Sequence, residues 1–556
     1  MLFGNRRPRT VDAQRRNDGA WAYRPLGEGL EDRLLLAIDL GSTSPPSNPI
    51  IATAPFGMDF GSATANQSAG ISVADLGDLN GDGYEDFAIG ASGGTSGTNS
   101  EVYVVFGSRS ANTTAITDWI AKNAAGTAFQ YTANNRVGDL GQLGLTSQTN
   151  PITGTAGGTL TFPFAGITFT APTNPLARLG ASVAGFRMAN GLSGLIIGAP
   201  GGYDINNANA GTGRVYVITG NFTQYLNQTV DLDTPAAYPG LDIVTYATSN
   251  TGATLGAAVA GGFNILGDGN GDIIMGAPAG SIGSATATGV VYLLSAAALP
   301  SSTPNNPINV ATLQTSNSAV VFAGINSGDS AGFSIADAGS VNQNSGTRVD
   351  DLLIGAPGVG ASAGAAYLVY GGSGLPGLAT SVTVNGTTSR YISLANVRGG
   401  GGNNSVPGAV FSGISAGSMS GYSVASAGSF SNNGIADILI GSPGYSSSTT
   451  LTSQGAVSML FGALNGSSAA LTGLIPLASV PSNILAVNFI GGTAGEQAGY
   501  SVSQVGVINA GQPNPILIGA PGFNSNAGTA YLIPGQSGLR GTYSLANEQT
   551  APLNGL

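Results

Sequence analysis

Gly332-Phe333-Ser334-Ile335, Ile354-Gly355-Ala356-Pro357 and Ala366-Tyr367-Leu368-Val369 are the three blocks whose reading decides the fold of this chain. A glycine opens a short strand carrying a β-branched anchor. A loop follows, then an apolar run ending in Gly-Ala-Pro. After a Gly-rich link comes a second alternating strand with a tyrosine. The pattern recurs six times. The first copy has Gly70-Ile71-Ser72-Val73, Ile89-Gly90-Ala91-Ser92 and Val102-Tyr103-Val104. The second has Gly180-Ala181-Ser182-Val183, Ile197-Gly198-Ala199-Pro200 and Val215-Tyr216-Val217, and the third Gly256-Ala257-Ala258-Val259, Met275-Gly276-Ala277-Pro278 and Val291-Tyr292-Leu293. The fifth has Gly421-Tyr422-Ser423-Val424, Ile440-Gly441-Ser442-Pro443 and Val457-Ser458-Met459, and the sixth Gly499-Tyr500-Ser501-Val502, Ile518-Gly519-Ala520-Pro521 and Ala530-Tyr531-Leu532.

The anchors Val73, Val183, Val259, Ile335, Val424 and Val502 are spaced by 110, 76, 76, 89 and 78 residues. Internal repeats of this kind are the signature of propellers and solenoids. A unit of about 76 residues with four short strands, each bounded by Gly, Pro, Asn or Ser, is the size of a propeller blade. Glycine suits blades converging on a crowded axis, where Cβ atoms would collide. Proline after Gly-Ala ends the strand by removing a ladder donor. The long first spacing places an insertion at about 121–160, between blades one and two.

These blocks resemble FG-GAP repeats, the units of the integrin α-subunit N-terminal β-propeller and of many bacterial secreted proteins. The resemblance covers roughly residues 36–545, with repeats near 60–107, 166–220, 243–295, 321–372, 410–462 and 487–535. It implies an all-β fold, a β-propeller of FG-GAP blades with four short antiparallel strands each. The family norm is seven blades; six are countable. Gly541-Thr542-Tyr543-Ser544-Leu545 looks like Tyr391-Ile392-Ser393-Leu394, an outer strand that opens a further unit. A divergent seventh blade, a composite of both termini, a blade missing through truncation of the chain and a six-bladed ring all stay open on these residues.

The composition sets limits on chemistry. The 556 residues include 89 Gly, no Cys and no His. No Ser-His-Asp or Cys-His nucleophile, His or Cys zinc site, haem histidine or disulfide framework can be built from them. Only 17 residues are basic against 28 acidic, a net charge of −11. Such a balance is wrong for neutralising phosphates, so nucleic acid is not expected as a partner. Every apolar run is broken by Gly, Ser or Asn before about 18 residues, so no transmembrane segment is expected.

Residues 1–37 differ from the propeller region, 38–556. They hold seven arginines, Arg6, Arg7, Arg9, Arg15, Arg16, Arg24 and Arg33. They end in Leu30-Glu31-Asp32-Arg33-Leu34-Leu35-Leu36-Ala37, which resembles the N-terminal export motif of many planctomycete proteins. That likeness implies a basic export leader and a secreted, extracellular or cell-surface location.

Acidic residues cluster where the repeat places its loop. In the first repeat the loop reads Asp78-Leu79-Asn80-Gly81-Asp82-Gly83-Tyr84-Glu85-Asp86. Side-chain oxygens at its first, third, fifth and ninth positions, with the carbonyl of the seventh, are a hard-cation donor set of the kind Ca²⁺ takes. The glycines let the backbone wrap, and flanking strands replace the helices of an EF-hand. By resemblance to the family, Asp78, Asn80, Asp82 and Asp86 would be calcium side-chain ligands and Tyr84 a carbonyl ligand. An Asx-rich turn without metal is the plain alternative. The third repeat offers a weaker calcium set, Asn264, Asp268 and Asp272, with Leu266 replacing one ligand. In the fourth, Ser340, Asn342 and Asn344 precede Asp350 and Asp351; in the fifth, Asp437 is the one carboxylate after Ser429, Ser431 and Asn433. The second and sixth loops carry no carboxylate.

Catalysis is not expected. Beyond the leader there are four Glu, namely Glu85, Glu101, Glu496 and Glu548. The expected role is a calcium-binding, non-catalytic adhesion or interaction module taking a protein or glycan ligand at the cell surface or matrix. A structural surface or envelope component is the alternative, and a carboxylate-based glycan hydrolase a weaker one. Tyr203, Tyr445 and Phe523, each after a Gly-Ala-Pro-type block, are candidates for a binding face.

Overall fold

The computed structural model describes residues 68–93 and 100–107, most of 165–546, and short ladders at 60–61, 138–139, 148–149 and 159–160. The leader at 1–37, most of the insertion at 121–160, Tyr203 and Glu548 lie outside the described residues. Within them the chain is all-β and forms six blades. Blade one orders Ala69–Gly77, Asp86–Ala91, Glu101–Val105 and Gly166–Thr170 from the axis outward. Blade four does the same with Ser334–Gly339, Asp351–Ala356, Ala365–Val369 and Gly408–Ser412. The innermost strands of blades one to six pack against one another in series.

The second strand of each blade explains the apolar runs in the sequence. Ser193–Ala199, Asp272–Ala277, Asp351–Ala356 and Asp437–Ser442 are buried at every position. A blade between two neighbours is covered on both faces, so its central strand reads as a continuous apolar stretch rather than an alternation. Five hydrophobic clusters sit between consecutive blades. The one between blades one and two, for example, joins Ala88, Val102 and Val104 to Ile197, Tyr216 and Ile218.

The Gly-Ala-Pro glycine has a specific job. A Cβ on Gly90 would lie 2.0 Å from the carbonyl oxygen of Gly180, the glycine that opens the next blade. The same holds for Gly198 against Gly256 at 2.1 Å, Gly276 against Gly332 at 2.3 Å, Gly355 against Gly421 at 2.0 Å and Gly441 against Gly499 at 2.2 Å. Blades touch backbone to backbone here. Beside each glycine a serine hydroxyl donates to the same carbonyl: Ser72 to Gly180 at 2.7 Å, Ser182 to Gly256 at 2.8 Å, Ser334 to Gly421 at 2.9 Å and Ser423 to Gly499 at 2.8 Å. Ala258 stands in the serine position of blade three.

Blades one, two, four and five have five strands rather than the four expected. The fifth is parallel and comes from the link that follows the third strand of the next blade. Gln228–Asp231 joins blade one, Ile308–Asn309 blade two, Gly473–Pro476 blade four and Gly541–Ser544 blade five. Thr387–Ser393 plays that part in blade three and adds a hairpin with Thr380–Val384. The extra strand pairs the outer backbone edge, which would otherwise be open to edge-to-edge association. Thus Gly541–Ser544, which looked like the opening of a further unit, completes blade five. A seventh blade is not seen among the described residues. Blade six has three strands, Ser501–Gln504, Ile516–Ala520 and Thr529–Ile533. No helix among the described residues is long and apolar enough to cross a membrane.

Candidate metal centre and channel rim

The first-repeat loop leaves the axis after Gly77 and returns at Asp86, linking the two inner strands of blade one. Its oxygens organise its own backbone. Asp78 Oδ1 accepts from the N–H groups of Gly81 at 2.7 Å and Asp82 at 2.9 Å, and Oδ2 from Gly83 at 2.9 Å. Asn80 Oδ1 accepts from Asp82 N–H at 2.9 Å, and Asp82 Oδ1 from Tyr84 N–H at 2.9 Å. Asn80 Nδ2 donates to Asp82 Oδ2 at 3.1 Å. Gly81 and Gly83 take φ of +78° and +91°, which lets the chain turn around these oxygens. Asp78, Asn80 and Asp82 are therefore brought together on one turn, with Asp82 exposed and Asp78 and Asn80 half-buried. Their oxygens are hard donors, each carboxylate oxygen has a second lone pair, and the set fits Ca²⁺ chemically.

Asp86 is placed differently. It is buried, and both of its oxygens brace backbone: Oδ2 accepts from Leu79 at 2.8 Å and Asn80 at 3.2 Å, Oδ1 from Gly107 at 2.8 Å. Burial pushes its pKa up to about 6 against the pull of those N–H groups. The same brace recurs without the acidic loop. Asp351 accepts from Val341 at 2.9 Å and Gly371 at 3.0 Å, and Asp437 from Ser431 at 2.9 Å and Gly462 at 3.0 Å. In blades one, four and five the aspartate that ends the loop thus ties it to the end of the third strand. Among the described residues, no three or more Asp, Glu, His or Cys side chains gather as a metal cluster. Glu85 is exposed beside the loop. Its carboxyl is shifted upward by partial burial and by the charges of Asp75 and Asp78, with Arg187 opposing.

In the third-repeat loop Asn264 Oδ1 accepts from Gly269 at 3.0 Å and Asp268 Oδ1 from Asn270 at 2.9 Å, while Asp268 Oδ2 accepts from Ser295 Oγ at 2.5 Å. Asp272 Oδ2 accepts from Leu266 at 2.8 Å, and its buried Oδ1 has no hydrogen-bond partner. The reason is local: Ala296 stands where the other blades have Gly107, Gly371 or Gly462, and its N–H goes to the Gly271 carbonyl at 2.9 Å instead. Burial and the neighbouring charges of Asp268 and Asp350 push Asp272 up to about 7.

Two further glutamates lie among the described residues. Glu496 is fully buried; its Oε2 accepts from Gly492 N–H, Thr493 N–H and Thr493 Oγ1, and its Oε1 from the Tyr531 hydroxyl at 2.7 Å. Glu101 accepts from the Tyr103 hydroxyl of its own strand.

The opposite end of the axis carries a feature that the sequence did not single out. The residue after the opening glycine is Phe333, Tyr422 and Tyr500 in blades four to six. Their rings form a continuous arc, with centroids 4.8 Å apart between Phe333 and Tyr422 and 4.9 Å between Tyr422 and Tyr500. Phe333 and Tyr500 are 37% and 44% exposed. Blades two and three have Ala181 and Ala257 at this position, and blade one has Ile71, 54% exposed. Tyr445 and Phe523, on second-to-third-strand links at the same end, are half-buried. The signal for the arc was present in the sequence as the variable residue of Gly-x-Ser-Val, but only the ring of blades makes those residues neighbours.

Residues 70–105 match the model of the FG-GAP repeat family. No curated protein matches the chain. Among solved structures, the ectodomain of the parainfluenza virus 5 hemagglutinin-neuraminidase is similar at 11% identity, with 88% of this chain and 83% of that one covered and a TM-score of 0.29. The matched stretch is blade one's Gly-x-Ser-Val strand, acidic loop, Ile-Gly-Ala block and tyrosine strand, and five more copies of that pattern build the other blades. The chain is an all-β propeller of six blades among the described residues, and its first blade matches the FG-GAP repeat.

Proposed function

We propose that this chain is a calcium-stabilised, non-catalytic interaction module of the integrin-α-like propeller type, acting outside the cell on a protein or glycan ligand. The observation that carries the metal part is the turn at Asp78–Asp82. Asp78, Asn80 and Asp82 would supply side-chain oxygens and Tyr84 its carbonyl, with Asp86 anchoring the turn from beneath. The cation would offset the charge of Asp75, Asp78, Asp82 and Glu85 and lock the connection between the two inner strands of blade one. If calcium stands at 100 times Kd, such binding stabilises the folded state by about 2.7 kcal/mol. The ligand part rests on the Phe333–Tyr422–Tyr500 arc, since contiguous exposed apolar surface of this kind marks contact sites, and aromatic rings with a polar tip serve both glycan and protein surfaces.

Calcium titration calorimetry on the full chain, paired with thermal melts in calcium and in EDTA, tests the metal part. Asp82→Asn is expected to remove the binding heat and the calcium-dependent rise in Tm, with little change in EDTA. An equal loss of stability in both conditions would overturn it. For the ligand part, a glycan array and a surface-protein pull-down are run with wild type and with Tyr422→Ala plus Tyr500→Ala. Retention of the same ligands by the double variant counts against the arc.

A further inference from the structure

We propose that two copies of this chain join edge to edge through Thr380–Val384, the outermost strand of blade three, in a two-fold antiparallel pairing centred on Val382.

Blade three is the widest of the described sheets, with six strands, because the link after the third strand of blade four adds a hairpin to it rather than a single strand. Val384 pairs with Thr387 across a two-residue turn, so these two exchange both main-chain hydrogen bonds. The alternation along the ladder puts Val382 with Ser389 and Thr380 with Tyr391 in the same class. Ser381 and Thr383 then aim their N–H and C=O groups outward. Among the described residues these groups have no partner, and both side chains are exposed. An uncovered edge of this kind is a template for another strand, and proteins ordinarily blunt it with charge, proline or shortness. The fifth strands of blades one, two, four and five show these devices. Gln228–Asp231 ends in a carboxylate, Ile308–Asn309 is two residues long behind Pro307, Gly473–Pro476 ends in proline, and Gly541–Ser544 follows Arg540. Thr380–Val384 has five residues, no charge and no proline.

The strand is complementary to itself. A two-fold axis at Val382 puts Ser381 opposite Thr383 of the second copy and Thr383 opposite its Ser381, so every outward N–H and C=O of these residues gains a partner. The side chains agree with this register. Ser381 and Thr383 share one face, where the hydroxyls of Thr383 and Thr388 already bond at 2.8 Å. The second copy's Ser381 extends that hydroxyl row by one strand. Val382 is half-buried on the other face and meets its own symmetry mate in a non-hydrogen-bonded pair, where side chains approach most closely. Each chain carries a net charge of −11, so two copies repel, and an uncharged edge is where they can meet without setting like charges opposite one another. A strand from another protein would pair the same main-chain groups; the match of valine to valine and serine to threonine commits the occupant to a second copy. A contact along one strand edge is at the small end of interface sizes, so the association is weak and reversible.

The absence of cysteine makes the register testable with single substitutions. In a non-hydrogen-bonded pair the Cα atoms stand about 4.5 Å apart, inside the range a disulfide spans, whereas diagonal neighbours at about 7–8 Å lie outside it. Full-length Val382→Cys, oxidised mildly at high protein concentration, is therefore expected to form a covalent dimer. Ser381→Cys, whose symmetry mate is diagonal, is not. Non-reducing electrophoresis reads both, and mass spectrometry identifies the linked peptide. Sedimentation equilibrium of the wild type, from low micromolar to submillimolar, is expected to show a reversible doubling of mass that strengthens at raised salt, where repulsion between the two negative bodies is screened. Val382→Lys sets two ammonium groups face to face at the axis and should abolish the doubling. Leu474→Lys adds the same charge at an exposed site on the edge of blade four and should leave it intact. Circular dichroism and Tm confirm that each variant is folded. A wild type that stays monomeric throughout, doubling that survives Val382→Lys, or Ser381→Cys linking as fast as Val382→Cys would each overturn the inference. So would doubling without a Val382→Cys bond, which would place the contact on another surface.

Discussion

Replacing Gly355 by alanine probes the contact on which the whole ring depends. The added Cβ would lie 2.0 Å from the Gly421 carbonyl oxygen and 2.1 Å from Ser334 Oγ. The hydroxyl can rotate away, at the cost of its 2.9 Å hydrogen bond to Gly421. The carbonyl cannot, because Gly421 begins the innermost strand region of blade five and its own N–H is bonded to Gly441 at 3.0 Å. Relief requires blades four and five to part by about 1 Å, and a gap of that size forfeits a quarter to a half of each dispersion contact across it. Overpacking of this sort costs about 1–3 kcal/mol, and the lost hydrogen bond about 1 kcal/mol more. We expect Gly355→Ala to destabilise the protein by about 2–4 kcal/mol. The assay is urea unfolding at 25 °C in calcium, followed by far-UV circular dichroism and tyrosine fluorescence, whose coincidence checks two-state behaviour. Gly377→Ala is the control, since nothing lies within 4 Å of its Cβ position. A loss of under about 0.5 kcal/mol for Gly355→Ala, equal to the control, would refute the view that backbone contact sets the blade spacing.

Glu496→Ala removes the acceptor for Gly492 N–H, Thr493 N–H and the Tyr531 hydroxyl in a fully buried site. Each stranded donor costs about 1–3 kcal/mol, so the urea midpoint should fall sharply, and a near-neutral result would show that water reaches the site. Burial raises the Asp351 carboxyl to about 7, against the N–H groups of Gly371 and Val341 and with help from the Asp350 charge. A folded-state pKa above the unfolded value of about 3.9 means that its stabilising contribution is complete below that value and is lost as pH rises through about 7. Unfolding midpoints in EDTA should therefore fall between pH 5 and pH 8, with Asp437, raised to about 6 by burial, acting in the same direction; a flat profile would contradict the burial argument. Tyr422→Ala removes the central ring of the aromatic arc, whose phenol is shifted upward by burial and its bond to Tyr500. It should weaken ligand capture while leaving the calcium-dependent Tm rise intact, and loss of both together would show that the arc acts through stability.

Much of the fold was legible because it is local and repeated. Ile-Gly-Ala-Pro and its variants mark a strand buried on both faces, and their register with Gly-x-Ser-Val or a variant of it was visible six times over. The fifth strands were not legible. Gln228–Asp231 and Gly541–Ser544 join sheets whose inner strands lie far back in the chain, and two- to four-residue segments have too little pattern to announce parallel pairing. The candidate site divides the same way. The oxygens of Asp78, Asn80 and Asp82 fall on one turn, so spacing alone located them. The bracing of Asp86 against Gly107, and the reason Asp272 lacks its counterpart, depend on what occupies the end of another strand.

By itself the sequence determined a charge-poor, cysteine- and histidine-free chain of Gly-marked blades with one acidic, oxygen-rich loop. Those properties follow from residue chemistry and short-range spacing. Tertiary structure decided which glycines touch the next blade, which aspartates are braces, and which aromatic rings become neighbours around the axis. Each of these is a contact between residues tens or hundreds of positions apart, set by how blades stack around a common axis.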